Sequence, residues 1–236
     1  HKEYRRQRQM CIRDRPLVGR DDVCRHCAGL CVALVQCHYT SVMKLNIAFI
    51  GGGNMASAIL GGLLRQGVLP KQVQVVDPSG DVATRLHALG VTVLAHAGAE
   101  LARADLVIWA VKPQVFAEAA RAAAPHVAQA LHLSVAAGIT SDSIAAWLGA
   151  QRVVRAMPNT PALVGLGQTG LYARASVSAA DRATVEQVLA STGQCTWVDA
   201  EPLLDAVTAL SGSGPAYFFY FIESMVRAGT AMGLTE

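Results

Sequence analysis

From Met43 onward, short apolar runs alternate with longer amphipathic stretches. Runs at 45–50, 73–76, 91–94, 106–111, 131–135 and 152–155 read as strands. Between them, 54–66, 81–89, 98–103, 114–123 and 140–149 carry helical spacing. Ser79 or Asp81 is placed to cap the second helix, and Thr140 or Ser141 the fifth. A further strand near 168–173 and a helix near 179–191 complete the series. Such alternation predicts an α/β domain, a parallel sheet covered by helices, over 43–200. After Trp197 the pattern turns wholly helical: Pro202 opens a helix, Ser211–Pro215 breaks it, and the run Ala216–Ile222 starts a strongly apolar one. Residues 201–236 read as the start of an incomplete second, helical domain.

One junction carries chemistry. The first strand runs into Gly51-Gly-Gly53-Asn54-Met55-Ala56, a G-x-G-x-x-A turn that leads straight into a helix. Gly51 suits the tight turn, Gly53 lets a pyrophosphate approach the backbone, and Ala56 allows close helix–strand packing. The helix beginning near Asn54 aims its free N–H groups at that phosphate. Asp77, closing the second strand, stands where an acid would hold the adenosine ribose. These residues predict an NAD(P)-binding, Rossmann-type, doubly wound and mostly parallel sheet.

Hydrophobic residues make up 52% of the chain and charged ones 16%, a balance that favours a well-buried fold over disorder. The apolar runs are far shorter than the roughly 20 residues of a membrane helix, so no membrane partner is expected. The net charge of +3 is unevenly spread. Residues 1–42 hold eight Lys/Arg against four acids, which leaves −1 for the rest and gives no basis for nucleic-acid binding. The same segment holds Cys11, Cys24, Cys27, Cys31 and Cys37. Cys24-x-x-Cys27 can be read as part of a zinc knuckle, but no second well-spaced pair supports it, and no metal is expected. Residues 1–42 read as a non-native or disordered extension, with a targeting presequence as the weaker alternative. Cys195 alone remains in the body, which fits a reducing, cytoplasmic setting.

Three more motifs fall at predicted strand ends. Trp109-Ala110-Val111-Lys112-Pro113-Gln114 places backbone groups beside the cofactor, and Pro113 can start a helix. Lys112 is either a phosphate or nicotinamide neighbour or a solvated strand-end lysine. Ser134-Val-Ala136-Ala137-Gly138-Ile139 offers small residues with room for a nicotinamide, or simply a tightly packed turn. Arg155-Ala-Met-Pro-Asn159-Thr-Pro161 is a rigid loop presenting an amide and a hydroxyl at the cofactor–substrate boundary.

Taken together with Ser211-Gly-Ser-Gly-Pro-Ala-Tyr217, these motifs resemble the pyrroline-5-carboxylate reductase family over residues 43–236. The resemblance implies NAD(P)H-dependent reduction of Δ1-pyrroline-5-carboxylate to L-proline, the final step of proline biosynthesis. NADPH is the implied cofactor, with NADH as the alternative: Asp77 favours a free ribose 2′-hydroxyl, whereas Ser79 and nearby N–H groups could hold a 2′-phosphate. It further implies a helical dimerisation domain, and a homodimer or higher homo-oligomer at full length. In the family the segment that holds the substrate lies further along the helical domain, beyond Glu236, so the catalytic residues are not assigned and the chain as given is expected to have little or no activity. Ala97 stands where the family usually has Asn. Other readings are a different Rossmann imine reductase or β-hydroxyacid reductase, and a catalytically silent NAD(P)-binding fragment.

Overall fold

The computed structural model describes residues 44–235. The extension read over 1–42, with its cysteines, lies outside the described residues. Eight strands form one sheet: β1 (Ile47–Ile50), β2 (Val73–Val76), β3 (Thr92–Leu94), β4 (Leu106–Trp109), β5 (Leu131–Ser134), β6 (Val153–Met157), β7 (Gly167–Ala173) and β8 (Gly193–Trp197). Their spatial order is β3-β2-β1-β4-β5-β6-β7-β8. The order reverses direction between β1 and β4, the switch point at which doubly wound sheets open a crevice.

Period-two alternation in β1 supplies both faces of the sheet. Ile47 and Phe49 face a core with Ile59 and Leu63 of α1 (Asn54–Arg65), Leu86 of α2 (Gly80–His87) and Val185 of α5 (Ala179–Leu189). Ala48 and Ile50 face the opposite core, with Phe116 and Ala120 of α3 (Pro113–Val127) and Ile144 and Leu148 of α4 (Ser141–Leu148). Burial on both sides explains why these strands read as continuous apolar runs.

Several elements differ from the sequence expectation. β7 runs antiparallel to β6, because only the short loop with a 3-10 turn at Thr160–Val164 joins them; a parallel return needs a longer crossover. Helix α5 then provides such a crossover, and β8, which the pattern left unread, pairs parallel to β7. The stretch 98–103 forms a 3-10 turn, Ala99–Arg103, rather than an α-helix. β4 stops at Trp109, so Ala110 and Val111 leave the sheet. Neither expected side chain caps α2: Ser79 occupies the cap position without a capping bond. Thr140 does cap α4, its Oγ1 accepting the Ser143 N–H at 3.2 Å. Beyond α6 (Leu203–Val207), Ser211 and Gly212 do not break the helix. They widen it into a π turn at Thr208–Gly212, closed by the Ser213 N–H on the Thr208 carbonyl at 2.9 Å, and α7 (Gly214–Ala231) follows directly.

One buried polar pair lies within the sheet. The Trp109 Nε1–H donates to Nδ1 of His132 at 3.2 Å, and both residues are fully buried. Burial first, and the Arg152 guanidinium second, lower the His132 pKa from 6.5 to about 4, against an opposing pull from the Val127 carbonyl. The unfolded chain therefore binds a proton that the folded chain refuses between these values. Stability present above pH 6.5 is lost as pH falls, by up to about 3 kcal/mol, and the loss levels off below pH 4. Urea unfolding at stepped pH checks this. His132→Gln, which retains an acceptor for the indole, is expected to flatten the curve across that window; an unchanged slope would refute the assignment.

Candidate functional site

The glycine turn after β1 is fixed from both sides. Gly51 adopts φ +96°, and a Cβ there would stand 2.7 Å from the Ala110 carbonyl oxygen. Only glycine combines that backbone with that approach. The Gly51 N–H donates to the Val76 carbonyl and the Ala110 N–H to the Ile50 carbonyl, each at 2.8 Å. These bonds hold the ends of β1, β2 and β4 against the turn. Gly53 then starts α1 with no side-chain cap, and the first turn of the helix contains no acidic residue. A Cβ on Gly53 would meet no protein atom within 4 Å. The approach to the helix N-terminus is thus open at Gly53, and the helix's own first turn brings no negative charge to it, which suits a pyrophosphate. Asn54 beside it is exposed, Met55 half-buried and Ala56 buried against the sheet.

Asp77 lies against this turn. Its Oδ2 accepts the Gly52 N–H at 2.7 Å and its Oδ1 the Ser79 N–H at 2.9 Å. The Arg85 Nη2 donates to the Gly52 carbonyl at 2.7 Å and to Ser57 Oγ at 3.1 Å. Arg85 and Ser57 escaped the sequence reading, since nothing in their spacing marks a partnership with a turn in another element. Gly52 was visible as the middle glycine, and its need is steric: a Cβ there would come 2.3 Å from Val82 Cγ1.

The other motifs follow the carboxyl ends of β4, β5 and β6, on the same edge of the parallel sheet as the glycine turn. Ala110 and Val111 are half-buried beside Gly51, Lys112 is the exposed cap position of α3, and Pro113 is its first residue. After β5, Ala136 is buried while Ala137 and Gly138 are exposed, Gly138 at φ +73°. Gly138 also lines a cleft with Thr140, Arg155 and Glu201. Asn159 serves the fold with both ends of its amide: Oδ1 accepts the Gln168 N–H at 2.9 Å, and Nδ2 donates to Ser211 Oγ at 3.0 Å. The Met157–Pro161 and Ser211–Tyr217 motifs, far apart in sequence, are therefore bonded to each other.

A buried ionic joint stands beside them. Glu201 Oε1 accepts from Arg155 Nη1 at 2.8 Å and from the Ser141 N–H at 2.6 Å, and Oε2 accepts from Ser141 Oγ at 2.6 Å. Burial alone would raise the Glu201 pKa. The Ser141 hydroxyl and N–H together with Arg155 outweigh it and hold the carboxyl below the usual range. Among the described residues, no group of three or more His, Cys, Asp or Glu could hold a metal ion, and no helix is long and apolar enough to cross a membrane.

Comparison with known proteins agrees with this geometry. Residues 46–138 match the family described as NADP oxidoreductase coenzyme F420-dependent, and residues 201–236 match pyrroline-5-carboxylate reductase dimerisation. A pyrroline-5-carboxylate reductase of Pseudomonas aeruginosa is 46% identical over 193 residues, covering 80% of this chain and 71% of the relative. The chain belongs to the pyrroline-5-carboxylate reductase family. The Escherichia coli member is 41% identical over 196 residues, covering 81% of this chain and 72% of its own length. Among solved structures of the family, that from Coxiella burnetii superposes with a TM-score of 0.75 at 36% identity, covering 81% of this chain and 73% of that one. The Plasmodium falciparum structure, with NADP bound, gives 0.71 at 28% identity over 81% and 71%. Reductive aminase and prephenate dehydrogenase structures, at 20% and 15% identity, share the fold.

Proposed function

We propose that this chain reduces Δ1-pyrroline-5-carboxylate to L-proline with NAD(P)H. The observation that carries the reading is the open, uncapped start of α1 at Gly53, flanked on one sheet edge by the three motif loops, in a chain 46% identical to a pyrroline-5-carboxylate reductase. In this reading Gly51, Gly53, Asn54, Met55 and Ala56 receive the pyrophosphate, while Asp77 and Ser79 border the adenosine ribose. Ala110, Val111, Lys112 and Pro113 flank the nicotinamide on one side, with Ala136, Ala137 and Gly138 on the other. The small side chains of Ala136, Ala137 and Gly138 leave space for a flat ring, and Asn159 fixes the loop beside them through Ser211.

The bound cofactor supplies a hydride to the imine carbon. The C=N electron pair passes to the ring nitrogen, which takes up a proton. A site for this chemistry chiefly orients the imine and excludes water, so the lack of an obvious acid–base pair among these residues is no obstacle.

Assembly with further copies of the chain, through segment 201–236, belongs to the same proposal. It is supported by the dimerisation match there and by α7, whose Tyr217, Phe218, Phe219, Tyr220 and Phe221 are all exposed. A cytoplasmic setting is proposed on the single half-buried cysteine of the described residues, Cys195.

The test is consumption of NADH or NADPH by the full chain with Δ1-pyrroline-5-carboxylate, with L-proline identified chromatographically. Substrate-dependent proline formation is expected from this reading, and it would overturn the little or no activity that the family resemblance implies for the chain as given. Dinucleotide binding with no proline formed would instead favour a silent binding protein.

A further inference from the structure

We infer that Asp77 makes this chain bind NADH more tightly than NADPH, an inference that rests on the dinucleotide reading above. An NADPH site needs donors and positive charge around the ribose 2′-phosphate, and the loop after β2 has committed both elsewhere. The N–H groups of Gly52 and Ser79, which could otherwise turn toward a phosphate, donate at 2.7 and 2.9 Å to the two oxygens of Asp77. An anion of the chain's own already fills that seat.

The surrounding charge adds to the effect. Asp81 follows in the first turn of α2, and residues 77–84 contain no Lys or Arg. The nearby cation, Arg85, has its Nη2 on the Gly52 carbonyl and Ser57 Oγ, and no salt bridge joins it to Asp77. A ribose 2′-hydroxyl can donate to a carboxylate oxygen that still has a free lone pair. A 2′-phosphate has no comparable donor and brings negative charge against negative charge. Asp77 is held by the backbone N–H groups of Gly52 and Ser79, so swinging aside would break both hydrogen bonds.

Titrating the full chain with NADH and with NADPH, by quenching of tryptophan fluorescence, tests the inference. NADH is expected to bind about tenfold or more tightly than NADPH, the size of effect one neighbouring like charge produces. Asp77→Asn retains an acceptor and the side-chain shape but removes the charge; it should narrow the gap about tenfold, chiefly by tightening NADPH. Added salt should narrow the wild-type gap as well. NADPH bound as tightly as NADH by the wild type, or a gap untouched by Asp77→Asn, overturns the inference. If the chain is folded by circular dichroism and binds neither dinucleotide, the underlying reading fails with it.

Discussion

Gly51→Ala is expected to damage both folding and dinucleotide binding, whereas Gly53→Ala should damage binding alone. At Gly51 the new Cβ would meet the Ala110 carbonyl oxygen at 2.7 Å and its carbon at 2.8 Å, on a residue held at φ +96°. The Ala110 backbone, tied to β1 by its N–H on the Ile50 carbonyl, cannot yield as a flexible side chain would. Left-handed strain and overpacking together cost about 3 kcal/mol. The ends of β1 and β4 must separate to relieve them, which moves the turn relative to α1 and should weaken dinucleotide binding about hundredfold. At Gly53 the backbone (φ −68°) suits alanine and the added carbon meets nothing within 4 Å. Its Cβ would project into the approach to the helix N-terminus, so the urea midpoint should stay near wild type while affinity falls. Equal affinities for Gly53→Ala and wild type would remove the phosphate from that position.

Glu201→Gln should lower stability by about 3 kcal/mol, toward the lower end for a broken buried ion pair because Glu201 retains 18% side-chain exposure. The amide can still meet Ser141, but it leaves the Arg155 guanidinium, 7% exposed, without a counter-charge. Replacing both partners, Arg155→Met with Glu201→Leu, should recover much of the loss, because the uncompensated charge rather than the lost attraction dominates. A double variant no better than Glu201→Gln would contradict that account. The sign with pH follows from the lowered Glu201 pKa: its contribution is present above the usual carboxyl value of 4.5 and is lost as pH falls through the folded value. His132 acts over a higher range, so acid unfolding should begin with the histidine and continue with this joint.

The sequence was most legible where one short segment dictates its own geometry. The Gly51–Ala56 turn, the acid at Asp77 and the strand-end loops around Ala110, Ala136 and Asn159 all depend on local chain direction and side-chain size. What escaped was pairing at a distance. Glu201 and Ser141 are 60 residues apart, Asn159 and Ser211 are 52 apart, and no local pattern marks either as a partner. The reversal at β7 was hidden for a related reason: an apolar strand reads alike in either direction, and only the length of the link before it tells them apart. At Ser211-Gly212 the glycine and serine suggested a break, but the Ser213 N–H reaches back to the Thr208 carbonyl and keeps the chain helical. The Met157–Pro161 loop, read as presenting an amide at the cofactor–substrate boundary, also uses the Asn159 side chain to brace two loops through Gln168 and Ser211.

The seclusion of Trp109 has an experimental use. Its ring is out of contact with solvent, one residue before the Ala110–Pro113 loop, with the His132 ring 6.1 Å away. Trp147 is half-buried near Phe116, and Trp197 lies under the Arg182 guanidinium. The three indoles therefore emit from different surroundings, and the sealed one is nearest the proposed nicotinamide position. Reduced nicotinamide absorbs where tryptophan emits, so energy transfer from Trp109 gives an unlabelled optical signal for occupancy.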